Sequence, residues 1–440
     1  MYSLFFNDDV NPLFEVTSEP ETHSSRHPCV CWLVITCLWL LCTEITTATS
    51  SADESGVIVD LDGKQSTGLL KSWSLDALVL DSGSSIPLST VRRISFDRPE
   101  KSVSGGDSIV WFSNGDRIMA RSISIAQDEL AISWPVLTSE VLTKIPLDQV
   151  AALILHLPET LPQRLRLYAD LETLPSGNDL VLLMNGDRSL GEIVRLGDTF
   201  VELKVGANLL KLDRSRVRAI RMDPALTSTG KTTKPRLAFL LNDGSQLTST
   251  TVDLENNSLL LKSDALGSFQ LPMRAVVSCQ LFGQRVIPLA DVVPTKVEIT
   301  PYLSTNWPLV KNANVLRGPL MVRDRRYLTG LGMHSRTTAT FELSGQEREF
   351  QAIVGIDDCA QGAGSVLFAV EVDGHRAWTS PELTGRSAPV NVPSVSLRGA
   401  KQLKLIVDFG QFADVSDYAD WCDAVFILDP ALGQGKKSDP

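Results

Sequence analysis

Between residues 56 and 285 apolar and polar positions alternate in short runs, and one order of runs recurs four times. Each unit opens with an apolar strand, turns at an Asn/Asp-Gly pair, and continues through two more strands. A short Ile-Pro-Leu-like element and a closing apolar strand follow. The turns are Asp62-Gly63, Asn114-Gly115-Asp116, Asn185-Gly186-Asp187 and Asn242-Asp243-Gly244. Such pairs supply the positive-φ residues that tight hairpins need. The fourth elements are Ile86-Pro87-Leu88, Ile145-Pro146-Leu147, Leu210-Lys211-Leu212 and Leu271-Pro272-Met273. Closing strands are expected at Val91–Phe96, Val150–Leu155, Val217–Met222 and Val276–Phe282. Period-two alternation, clear in Asp198–Val205, marks a sheet with one buried face.

Five short strands per repeat, joined by hairpins, predict a small barrel or strongly bent sheet. Proline in the fourth strand confines that strand to an edge or a bulge. In strand order and turn placement the repeats resemble the Sm-like small β-barrel. They are expected as two tandem pairs, residues 56–157 and 179–285. In the connecting stretch 158–178, Leu161–Leu174 carries leucines and a tyrosine at helical spacing and predicts a short bridging helix. Thr227–Pro235, rich in Thr, Lys and Pro, reads as a loop. Pro288, Pro294 and Pro301 punctuate a linker over 286–301.

From residue 302 to about 430 the pattern changes to longer, denser strands. Phe350–Ile356, Val366–Val372 and Leu403–Phe409 suit a two-sheet core, and Asp373-Gly374, Thr384-Gly385 and Gly399 separate them. A β-sandwich follows from the pattern alone. Six landmarks occur here in order: Gly330 to Ser335 (GLGMHS), Phe350 to Asp358 (FQAIVGIDD), Gly364-Ser365-Val366 with Val370 to Gly374 (VEVDG), Trp378 to Pro381 (WTSP), Gly399 to Leu405 (GAKQLKL) and Asp417 to Asp423 (DYADWCD). With them, residues 302–428 resemble the NPCBM family, the carbohydrate-binding module associated with family 98 glycoside hydrolases. The resemblance covers under a third of the chain. It implies a galactose-binding-like jelly roll, in a family usually appended to secreted enzymes acting on glycans. The expected fold class is all-β: tandem small β-barrel-like repeats followed by a galactose-binding-like jelly-roll β-sandwich.

Composition narrows the function. Hydrophobic residues make up 43% and charged residues 21% of the 440, the balance of a globular chain of several domains. A net charge of −11 without a Lys/Arg cluster argues against nucleic acid, whose phosphates require a basic patch. Ahead of the repeats, the uncharged apolar run Val30–Cys42 follows Arg26 and precedes the small polar stretch Thr46–Ala52. This is the pattern of a secretory leader over residues 1–52, cleavable after Ser50 or Ala52. The run falls short of the roughly 20 apolar residues of a spanning helix. The protein is therefore expected to be secreted, periplasmic or at the cell envelope, with no permanent membrane span after cleavage; an uncleaved anchor is the alternative. Residues 1–25 are acidic for a leader and point to a start downstream of Met1. Residues 431–440 are expected to be a disordered tail.

Sugar recognition needs an aromatic face for the CH-rich side of a ring and a few fixed polar groups for its hydroxyls. Candidates are Trp378, Trp307 and Tyr418, with His334, Arg336 and Arg376 as polar partners. Each has a structural alternative: Trp378 could pack in the core, Trp307 could seal the linker, and His334 could fix its turn. Trp421 reads as core. Asp357, Asp358, Asp417, Asp420 and Asp423 could hold a structural calcium, or could cap turns. Of the cysteines, Cys29, Cys31, Cys37 and Cys42 lie in the leader, Cys279 reads as core, and Cys359 and Cys422 could form a disulfide. No Cys/His spacing suggests zinc. Glycoside hydrolysis takes two carboxylates in a cleft, and nothing in the sequence fixes such a pair. GxSxG, HExxH, P-loop and dinucleotide fingerprints are absent. The sequence predicts non-catalytic binding of a glycan or polysaccharide. A scaffold contacting other envelope proteins is the alternative.

Overall fold

The structure is a computed structural model that describes residues 55–100, 108–137, 142–172, 177–227, 235–283, 285–302, 305–411 and 413–429. The expected leader with its four cysteines, residues 228–234 of the expected loop and the 431–440 tail lie outside the described residues.

All four repeats share one hydrogen-bond ladder. In the first, Ser55–Asp60 pairs with both Gln65–Trp73 and Val91–Phe96; the ladder then runs from Gln65–Trp73 through Ala77–Leu80 to Ser85–Pro87. The spatial order is 4-3-2-1-5. It recurs in the units that open with Ser108–Phe112, Asp179–Leu183 and Arg236–Leu241, apart from breaks in strand two. Strand two is broken in the second unit (Arg117–Ala120, Ser122–Ala126) and in the fourth (Gln246–Ser249, Val252–Glu255), and in the fourth the outer three strands form a separate sheet. The opening turns form as the sequence predicts. The Gly115 amide donates to Phe112 O at 3.0 Å with φ at +93°, and Asn114 Oδ1 accepts from the Asp116 amide at 2.9 Å. Strands four and five are joined by a 3₁₀ turn, and no ladder links them among the described residues. Each unit is therefore a bent open sheet rather than a closed barrel.

Two further expectations are corrected. The fifth strands pair antiparallel between the first and fourth units (Cys279 opposite Ile94) and between the second and third (Leu153 opposite Ile220). The repeats are thus nested, not paired in tandem, because the apolar closing strands find like strands rather than sequence neighbours. The helix Leu161–Glu172 covers the joint of the second and third units. It buries Leu165, Tyr168 and Leu171 against Ile154, Leu180 and Ala219, and Tyr168 lies 5.3 Å from the Trp111 ring. In the third unit, Asp213 stands immediately before the 3₁₀ turn, where Pro87, Pro146 and Pro272 stand in the others. Its carboxylate accepts from the Ser215 amide at 2.8 Å. The fourth element is consequently Leu212-Asp213-Arg214, two residues beyond the one expected.

The C-terminal module is a sandwich of two antiparallel sheets. One runs Val310–Lys311, Gly330–His334, Tyr418–Leu428, Glu347–Ile356, Val390–Ser396; the other runs Lys296–Ile299, Thr337–Glu342, Gln402–Phe409, Ser365–Val372, His375–Thr379. The expected linker belongs to it. Val286–Pro288 pairs with Tyr418–Leu428, and Lys296–Ile299 pairs with Thr337–Glu342. Pro288 ends its strand, and Pro294 and Pro301 lie just outside Lys296–Ile299, so none removes a ladder donor from a strand interior. Trp421, Phe350, Phe368 and Phe426 form the centre of the core.

Tyr418–Leu428 is buried along nearly its whole length. A bulge at Asp423, where φ is +48°, shifts its register against Glu347–Ile356. Ala419, Trp421, Ala424 and Phe426 face the sandwich core. Val425 and Ile427 instead join Leu61, Ala238, Phe282 and Val286 in an apolar cluster shared with the repeats. Polar contacts surround that cluster. Gln351 Nε2 donates to Leu61 O at 2.9 Å, and Arg92 donates to Gln351 Oε1 at 2.7 Å and to Asp423 O at 3.1 Å.

Candidate functional site

The candidate site is built where the strand Gly330–His334 ends. His334 stands opposite Tyr418 in the ladder, with ring centroids 5.8 Å apart. Trp307, three residues ahead of Val310–Lys311, lies nearly parallel on His334 (5.1 Å, 15°) and edge-on to Tyr418 (5.8 Å, 64°). His334 is buried, whereas Trp307 and Tyr418 are partly exposed. The three rings form a small aromatic platform at the edge of the module.

Electrostatics fix the imidazole. Burial lowers the His334 pKa below its ordinary value, outweighing the raising effects of Ser335 and Asp414, which favours the neutral ring. His334 Nδ1 lies 2.9 Å from Ser335 O, so the proton sits on Nδ1 and is donated to that carbonyl. This leaves Nε2 as an acceptor with no hydrogen-bond partner among the described residues. Beneath the turn, Asp417 accepts from Ser335 Oγ at 2.5 Å and from the Ser365 amide at 2.8 Å. Burial pushes its carboxyl up to about 6 despite those donors. Arg336 is exposed, with Nε 3.5 Å from Asp408 Oδ1. Asp414 is near enough to the imidazole to favour its charged form.

The other sequence candidates fall elsewhere. Trp378 lies on His375–Thr379, partly buried against the core, and takes part in no ring pair among the described residues. Arg376 pairs with Glu371 at 3.1 Å. Trp307 belongs to the platform instead of sealing a linker. The expected calcium ligands do not converge: among the described residues no group of three or more His, Cys, Asp or Glu side chains is placed to hold a metal. Most are occupied by protein donors. Asp357 accepts from Asn314 Nδ2 and from the amides of Met321 and Cys359; Asp358 accepts from the amides of Arg323 and Asp324. Asp423 accepts from Gln280 and Arg93 of the repeats. Both Asp420 oxygens are buried without a donor. Burial and the neighbouring charge of Asp357 raise its pKa well above the carboxylate range, which holds the proton on it.

The expected disulfide is absent as well. Cys279, Cys359 and Cys422 are free thiols. Cys422 is enclosed by Leu320, Val322, Tyr327 and Ile353, while Cys359 packs toward the helix Leu161–Glu172. The two occupy different apolar clusters. Sequence reasoning missed Arg92, Arg93, Gln280 and Gln351, which join the module to the repeats. Nothing local marks them, since their role depends on pairing across hundreds of residues.

Comparison with known proteins bears on the C-terminal module. Residues 293–427 match the NPCBM/NEW2 domain family. The match begins ahead of Lys296–Ile299, the strand that the sequence had assigned to a linker. A protein of Renibacterium salmoninarum named "Putative endo-alpha-N-acetylgalactosaminidase" is 32% identical over 109 residues, which are 25% of this chain and 7% of that protein. The chain thus spans a small part of that relative. Among solved structures, CBM51 from Clostridium perfringens GH95 in complex with methyl-galactose is 22% identical, covering 32% of this chain and 99% of that one, with a TM-score of 0.29. The tandem CBM51 modules of the family 98 glycoside hydrolase from Streptococcus pneumoniae SP3-BS71 are 10% identical, covering 59% and 91%, with a TM-score of 0.29. Residues 293–427 of this chain are an NPCBM/NEW2 domain.

Proposed function

We propose that this domain binds a glycan on the Trp307–His334–Tyr418 platform, without catalysing a reaction on it, and that the chain works at the cell envelope or outside the cell. One observation carries the reading: a partly exposed tryptophan stacked on a neutral histidine whose Nε2 is a free acceptor. An indole face takes the CH-rich side of a pyranose, and a fixed acceptor beside it takes a hydroxyl. Arg336, exposed and close to His334 in the chain, adds a donor. The family match supports a carbohydrate ligand. The name of the Renibacterium relative suggests including N-acetylgalactosamine among the sugars tried. The apolar run Val30–Cys42 supports export.

The test is a glycan panel, galactose and N-acetylgalactosamine termini included, on the full chain and on Trp307→Ala and Trp378→Ala. Saturable binding that falls at least about tenfold in Trp307→Ala, a difference of about 1.4 kcal/mol, and is unchanged in Trp378→Ala is expected. No saturable binding, or equal binding by the Trp307→Ala protein, would overturn the reading.

A further inference from the structure

The four repeats are built alike, yet one of them leaves an edge unguarded. In the 4-3-2-1-5 order strand four is always an edge. Those edges are Ser85–Pro87, Thr143–Pro146, Asn208–Asp213 and Gly267–Pro272. Three of them end in proline, a residue that cannot donate to a further strand and so blocks edge-to-edge growth. The third runs six residues, Asn-Leu-Leu-Lys-Leu-Asp, without one. It pairs with Phe200–Val205 on one side only.

Exposed apolar side chains gather on the same unit. On the edge hairpin itself Leu209 is 59% exposed, with Leu210 and Val205 exposed too, while Leu190 (55%) and Val194 are exposed on the second strand. The first and second units each have one such side chain, Leu75 and Leu142, and the fourth has none among the described residues. An apolar cluster of this kind on a free, proline-less edge is a docking surface.

We propose that Asn208–Asp213 pairs antiparallel with the same strand of a second copy of this chain, giving a two-fold dimer whose seam holds Leu209 and Leu210. Two features select a second copy as the occupant. The strand carries one positive and one negative side chain, Lys211 and Asp213, so two copies meet there without the repulsion that the overall charge of −11 imposes elsewhere. With the six residues fully overlapped, each Lys211 faces Leu210 and each Asp213 faces Asn208 of the other strand, so no like charges stand directly opposite. Like-on-like antiparallel pairing is also how the repeats already associate, fifth strand on fifth strand in both unit pairs. A two-fold interface needs one self-complementary patch, which this strand is.

The experiment is sedimentation velocity of the full chain from about 1 to 100 µM, with hydrogen exchange at both ends of the range. Leu209→Glu introduces a charge opposite Lys204 in the ladder, so the monomer keeps its sheet. Leu75→Glu is the control, an exposed leucine of the first unit. The expected result is a dimer in which the amides of 208–213 are protected as concentration rises. Its Kd should rise at least about tenfold in Leu209→Glu and stay unchanged in Leu75→Glu. A monomer throughout would overturn the proposal, as would a dimer indifferent to Leu209→Glu, a dimer whose 208–213 amides stay unprotected, or assembly beyond two copies.

Discussion

Asp423 of the sandwich's central strand lies 3.2 Å from the guanidinium of Arg93 in the first repeat, and its side chain is only 3% exposed. Gln280 of the fourth repeat donates to the other carboxylate oxygen at 2.5 Å. One carboxylate therefore holds both units of the outer repeat pair against the NPCBM/NEW2 domain. The bulge at Asp423 makes this geometry, because it places the side chain on the face of the strand turned from the sandwich core.

Removing that carboxylate leaves a largely buried arginine and a buried glutamine without their partner. Breaking a buried pair from one side costs about 3–5 kcal/mol. Asp423→Ala is expected to lose stability of that order in urea denaturation. The transition should also broaden, because one of the links between the domain and the repeats is lost while the apolar cluster around Val425 and the Gln351 contacts remain. An Asp423→Ala protein as stable as the parent, with an equally sharp transition, would refute this account of the interface.

Trp421, two residues earlier, faces the other way and does different work. It is fully buried, with Phe368 5.3 Å and Phe350 6.1 Å away. Truncating such a side chain costs about 3–5 kcal/mol through lost burial and the cavity left behind. Trp421→Ala is expected to lower the melting temperature of the domain sharply. Trp378→Ala, at a partly buried edge position, should lower it much less. Equal effects of the two changes would mean that the core is centred elsewhere.

The sequence disclosed the local rules and concealed the long-range ones. Asn114-Gly115 and its counterparts announce their hairpins because the turn depends on a few adjacent residues. The alternation in Phe200–Val205 likewise declares a strand with one buried face. The nesting of the repeats could not be read this way, since Ile94 opposite Cys279 is a choice among four similar closing strands. The same holds for the aspartates of DYADWCD. Their spacing suggested a shared ligand, yet Asp417 serves a turn, Asp420 is buried beside Asp357, and Asp423 serves the repeats. Only the cover on the second face of the strand separates these roles. The pairing of Trp307 with His334 was hidden for a related reason: the two are distant in sequence and adjacent only once Val310–Lys311 pairs with Gly330–His334.

The thiols give a chemical check on the packing. Burial pushes the pKa of Cys279, Cys359 and Cys422 above the ordinary thiol value, with nearby aspartates adding to the effect at Cys359 and Cys422. Alkylation at pH 8 should be slow at Cys359, the one partly exposed thiol of the three, and negligible at the other two until the chain unfolds. Peptide mapping without reductant should recover all three as free thiols. A Cys359–Cys422 crosslink would contradict the separate clusters in which they lie.

Asp417 links the site to pH. Its folded-state pKa of about 6 lies above the ordinary 3.8, with burial as the cause. The folded chain therefore binds this proton more tightly than the unfolded chain does. The resulting stabilisation is complete below the unfolded pKa and is lost as pH rises through about 6. Asp417→Asn removes the titration. The amide can keep both contacts, its oxygen accepting from the Ser365 amide and its NH₂ donating to Ser335 Oγ, which turns round to accept. Stability measured by denaturant titration from about pH 4 to 7 should thus fall less steeply in the Asn protein than in the parent. If the two slopes coincide, Asp417 titrates as an ordinary surface carboxylate. The turn that carries His334 would then be held by something other than this buried acid.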